Sequence, residues 1–78
     1  MTEKKKFIES GNYRIGKLIK KDSPKYIVRC DFDDLLLSIT ESKVPLDNIS
    51  VGDIVQVYRM TLDSCILIDY IKKEEAGN

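Results

Sequence analysis

Residues 25–30, "KYIVRC", alternate in character: Tyr26, Val28 and Cys30 fall on one side, and Lys25, Ile27 and Arg29 on the other. A period of two is the signature of a strand with one buried face. The same period returns in "LLLSIT" at 35–40, where Leu35, Leu37 and Ile39 share a face and Leu36, Ser38 and Thr40 the other. It returns again at 54–60, with Val55 and Val57 opposite Ile54, Gln56 and Tyr58. Two further runs complete the pattern. "YRIGKLIKK" at 13–21 is β-rich, and "CILIDYI" at 65–71 is nearly continuous in apolar residues, as expected of a central strand. Gly16 interrupts the first run and is expected to mark a bulge that turns both Ile15 and Leu18 inward.

Turn chemistry separates these runs. "DSP" at 22–24, "DFDD" at 31–34 and "TLDS" at 61–64 are polar breaks. The second predicts a hairpin between strands two and three. The longest connection, "ESKVPLDNIS" at 41–50, contains Pro45 and so allows no long helix. Val44, Leu46 and Ile49 are placed to plug a core from it. "VGD" follows: Gly52 suits a tight turn, and Asp53 suits bonding to nearby amides before the fourth strand begins.

The expected fold class is therefore all-β, a five-stranded Greek-key barrel with a short turn or helical plug between strands three and four. "YRIGKLIKKDSPKYIVR" resembles the first hairpin of small OB-fold domains, and "LDNISVGDIVQVY" resembles the start of their fourth strand. An SH3-like barrel also has five strands, but the position of the longest connection favours the OB-type order. Among OB-fold proteins, residues 12–73 most resemble the small single-domain subunits of replication protein A-type complexes and their telomere-capping relatives. The resemblance implies an accessory subunit with a larger OB-fold protein as partner and weak contact with single-stranded nucleic acid. The alternative is a stand-alone binder of single-stranded DNA or RNA. Small subunits of replication protein A join their partners through a C-terminal helix, for which "YIKKEEAGN" has almost no room.

Composition adds limits. Seventy-eight residues make one domain at most, read as a flexible charged arm (1–11), the barrel (12–73) and a polar tail (74–78). No apolar run approaches the ~20 residues of a membrane span, and no apolar segment follows the basic start as in a secretory signal. The expected location is intracellular: the nucleus in a eukaryote, otherwise the cytoplasm. Cys30 and Cys65 lie in apolar runs without metal-ligand spacing and read as buried, reduced thiols. Net charge is zero, yet it is unevenly spread. Residues 1–29 hold nine Lys or Arg against three Asp or Glu, and residues 30–78 hold four against ten. One side of the folded barrel is thus expected to be basic.

No catalytic constellation is visible. Histidine is absent, and the glycines are scattered rather than gathered in a phosphate loop. "DFDD" reads as a solvated acidic turn rather than a magnesium site. No cofactor, metal, membrane or small-molecule substrate is expected, and the chain reads as a binding module rather than an enzyme. OB-type barrels bind single strands with basic residues and stacking aromatics on strands two and three and the loops beside them. Here those positions supply Lys20, Lys21, Lys25, Arg29 and Arg59, with Phe32 and Tyr58 as stacking candidates and Tyr26 assigned to the core. The arm at Lys4, Lys5 and Lys6 is the alternative contact. Ile27, Leu36 and Ile54 are apolar residues at outward positions, and they are candidates for a protein interface.

Overall fold

The computed structural model describes residues 7–76. Among them are β1 (Tyr13–Asp22), β2 (Lys25–Cys30), β3 (Leu36–Ser42), β4 (Ile54–Arg59), β5 (Ser64–Ile71) and a single helical turn, α1 (Lys73–Ala76). The strands close into a barrel in the order β1-β2-β3-β5-β4, with β4 returning to β1. Only the β3–β5 pair is parallel; the others are antiparallel. This is the Greek-key OB-type barrel, and the 43–53 connection between β3 and β4 carries the plug. Closure leaves no free edge along the fully paired stretches, which protects a small sheet from pairing with other chains. No helix among the described residues is long and apolar enough to cross a membrane.

The alternating residues do what their period requires. Tyr26, Val28 and Cys30 of β2, Leu37 and Ile39 of β3, Val55 and Val57 of β4, and Cys65 and Leu67 of β5 form the core with Leu18. Ile49 enters it from the plug and is fully buried, with Val44 and Leu46 packed at its margin. Each fully buried aliphatic side chain of this kind contributes ~1.5–3 kcal/mol.

The first strand differs from expectation. Its register slips between Leu18 and Lys20, so the bulge falls at Ile19 rather than Gly16. Gly16 itself faces inward and is buried, and Ile15 points to the outer side opposite Gln56. The physical reason is close approach. A Cβ on Gly16 would lie 2.3 Å from the carbonyl oxygen of Arg29 and 2.9 Å from Cγ1 of Val28. A bare backbone at this position lets the paired β1 and β2 approach closely.

The N-terminal stretch is tied to the barrel from Ile8 onward. The Gln56 amide accepts from the Ile8 N–H (2.6 Å) and donates to the Ile8 carbonyl (2.7 Å), which satisfies a buried polar side chain on an outer face. Residues 1–6 of the expected arm, with Lys4, Lys5 and Lys6, lie outside the described residues, as do the last two residues of the expected tail.

Candidate nucleic-acid interface

The outer face of β1, β2 and β3 is built by cross-strand register. Arg29 of β2 lies between Lys17 of β1 and Leu36 of β3. One row along, Ile27 lies between Lys20 and Ser38. Lys25 continues the outward side of β2, opposite Asp22. Since their β2 neighbours Tyr26, Val28 and Cys30 are buried, Lys25, Ile27 and Arg29 all point away from the core. The result is four cations, Lys17, Lys20, Lys25 and Arg29, set around a half-buried isoleucine. On ~3.3 Å per residue, Lys25 and Arg29 stand roughly 13 Å apart along the strand.

The same register continues around the barrel. Lys17 also faces Ile54 of β4, which faces Ile71 of β5. The row reads Leu36, Arg29, Lys17, Ile54, Ile71, so two cations interrupt the apolar residues proposed for protein contact. Leu36 is half exposed, whereas Ile27 and Ile54 are half-buried. Beside β3, the β4–β5 loop presents exposed Met60 and Leu62 and is held there by the Ser38 N–H donating to the Asp63 carbonyl at 2.8 Å.

Two acidic residues neighbour these cations, Asp22 opposite Lys25 and Asp34 beside Arg29. Asp34 approaches Arg29 at 3.5 Å, and both side chains are largely exposed. Such a pair is worth at most ~1 kcal/mol and yields readily to a competing anion. Lys17 was not among the residues that sequence reasoning selected. Its position one residue from inward Gly16 and Leu18 is the signal that marks it as outward.

The other expected residues go elsewhere. Lys21 turns to the plug, donating its ammonium to the carbonyls of Ile49 (2.7 Å) and Asp47 (3.3 Å). Arg59 sits at the end of β4 and donates from Nε to the Thr61 carbonyl at 2.9 Å. Tyr58 lies on β4, edge to face with Tyr13 of β1 at a centroid distance of 5.1 Å. Since β4 pairs with β1 and β5, this aromatic pair is on the wall away from β2 and β3. Phe32 is exposed at the β2–β3 turn and lines a shallow cleft with Glu9, Ser10, Gly11 and Arg14. The carboxylates of Asp31, Asp33 and Asp34 share that turn. Asp33 is engaged by Arg14 (3.4 Å) and the Leu35 N–H (3.3 Å). Among the described residues, no group of three or more His, Cys, Asp or Glu is placed to hold a metal ion.

A second cluster, not foreseen as a unit, stabilises the frame below this face. Asp53 is fully buried at the start of β4. Its carboxylate accepts from the Ser50 N–H (2.8 Å) and the Lys73 N–H (3.0 Å), and it pairs with the Lys72 ammonium at 2.9 Å. Burial alone would raise its pKa; the Lys72 hydrogen bond and the two amides outweigh it and hold the carboxyl below its ordinary value. Lys72 also donates to the Asn48 carbonyl and to Oγ of Ser50, so all three of its protons are used.

Comparison of the chain with protein-family models, with curated proteins and with solved structures returns no match.

Proposed function

We propose that the chain is a small, non-enzymatic OB-type accessory subunit of a single-stranded nucleic-acid-binding complex of replication, repair or telomere type. It works mainly through contacts with a larger OB-fold protein and touches the strand weakly. The observation that carries the reading is the placement of Lys17, Lys20, Lys25 and Arg29 together on the outer face of β1 and β2. This face adjoins that of strands two and three, where OB-type barrels take a single strand. Leu36 and Ile54, in the same cross-strand row, supply apolar area for a protein partner. The interruption of that row by Lys17 and Arg29 supports a second reading, a stand-alone single-strand binder.

Fluorescence anisotropy with labelled oligo-dT across a salt series tests the strand contact. Each phosphate contact on a single strand contributes about −0.7 to the log–log salt slope, so four contacts give a slope near −3. Replacing Lys25 and Arg29 together with glutamine is expected to shrink that slope by roughly 1.4 on the same rule. No binding at low salt overturns direct contact and leaves the protein-contact role. An unchanged slope in the double variant moves the site off this face, with Lys4–Lys6 as the next place to look. Affinity capture from the native cell tests the partner: recovery of a larger OB-fold protein supports the accessory role, and recovery of nucleic acid alone supports the stand-alone reading.

A further inference from the structure

All six aromatic residues of the chain, Phe7, Tyr13, Tyr26, Phe32, Tyr58 and Tyr70, fall within the described residues, and none of the four tyrosines, which lie on strands, is the cross-strand partner of Lys17, Lys20, Lys25 or Arg29. Tyr26 is buried in the core. Tyr13 and Tyr58 are spent on each other on the β1–β4 wall. Tyr70 packs against the core from β5 and has the Lys72 ammonium 6.0 Å from its ring centre. Phe7 precedes Ile8, which Gln56 holds against β4. Phe32 is exposed, but it stands in a turn with Asp31, Asp33 and Asp34 and lines its cleft with Glu9. Arg14 lines the same cleft but is engaged by Asp33, and Asp34 faces Arg29, so carboxylates outnumber cations around Phe32 and disfavour a phosphodiester chain there. What stands between Lys17, Lys20, Lys25 and Arg29 is instead Ile27, half-buried, with Leu36 and Ser38 beside it on β3.

From this arrangement we infer that the β1–β2–β3 face grips the phosphodiester backbone of a single strand and leaves its bases unstacked. The inference rests on the strand contact proposed above and specifies its ligand chemistry. Lys25 and Arg29, two residues either side of Ile27, can each meet a phosphate along the strand, and Lys17 and Lys20 do so from β1. Ile27 is flat aliphatic surface with no π-face, so it discriminates little between a base and bare sugar. Recognition by charge alone is indifferent to base identity.

The test compares two labelled strands of equal length, oligo-dT and an oligomer of abasic sites, by anisotropy over the same salt series with the full chain. A single stacked base is worth about five-fold or more in affinity. The expected result is affinities within about three-fold of each other, with the same salt slope. Oligo-dT binding accompanied by about a five-fold or greater loss on the abasic strand overturns the inference and leaves the proposed strand contact standing. Failure of both strands to bind at low salt overturns the strand contact itself, and the inference with it. The Lys25→Gln/Arg29→Gln variant supplies the second readout. It should weaken both strands by the same factor, and a loss confined to one strand contradicts a grip on the shared backbone.

Discussion

The Lys72 ammonium lies 2.9 Å from Oδ2 of Asp53, joining the residue just past β5 to the turn that launches β4. The same carboxylate takes the Ser50 and Lys73 N–H groups, so one buried side chain holds the plug, the β4 start and the chain end together. Replacing Asp53 with asparagine removes the charge and leaves a buried amide facing donors. The expected loss is about 2–4 kcal/mol, since hydrogen bonds to charged groups are worth ~1.5–3 kcal/mol and an orphaned buried group costs more. Urea denaturation checks it.

The pH dependence follows from the same site. The folded-state pKa of Asp53 is below its ordinary value of 3.8, so unfolding takes up a proton. Its contribution is therefore complete above about pH 5 and is lost as pH falls through and below 3.8. The parent is expected to lose stability as pH falls from about 5 through 3.8 and below, and Asp53→Asn less so over the same interval. Urea midpoints at several pH values for both proteins measure the difference, and parallel curves would remove Asp53 from the acid response.

Gly16→Ala is expected to destabilise by more than a strand alanine normally would. The added methyl carbon meets the Arg29 carbonyl at 2.3 Å and Val28 at 2.9 Å, and the carbonyl belongs to a paired backbone with little room to shift. Overpacking of this kind costs ~1–3 kcal/mol. A thermal melt equal to the parent's would show that β1 and β2 separate cheaply here.

Leu37 is fully buried opposite Val28. Truncation to alanine removes apolar contacts and leaves a cavity, at a cost of ~2–5 kcal/mol. In a barrel this small that is much of the total, and circular dichroism should show a greatly lowered or absent transition.

Cys30 and Cys65 are both buried and free. Burial pushes the Cys30 thiol up to about 11 and the Cys65 thiol up to about 12, so neither is a thiolate at neutral pH. Both should resist a thiol reagent in the folded protein and react fully in urea. Both are free in the fold, on strands that do not pair with each other, and the intact mass without reductant should be that of two free thiols. A mass two hydrogens lower would show that the two core thiols have joined across the barrel interior.

The parity of each strand was legible in the chain. Period-two alternation assigned Tyr26, Val28, Leu37, Val55 and Val57 inward and Lys25, Ile27 and Arg29 outward, because a local zigzag backbone leaves only two faces to choose between. Val-Gly-Asp likewise announced its turn: Gly52 adopts φ +98°, where a side chain would be strained. What a residue meets on its face was not legible, because partners come from distant segments. Only the register sets Lys17 beside Arg29 and Ile54, and only closure of the barrel sets the register. Gln56 reads as an outward polar residue, yet it is buried because a segment 48 residues away crosses it. Lys21 and Lys72 read as surface charge, yet both serve the plug, since the 43–53 connection folds back past the ends of β1 and β5 and exposes carbonyls to them. Gly16 reads as a bulge, yet the bulge falls at Ile19, and Gly16 is instead where the paired β1 and β2 approach too closely to admit a side chain. Sequence spacing carries a strand's own geometry, whereas the distance between two strands depends on the whole barrel.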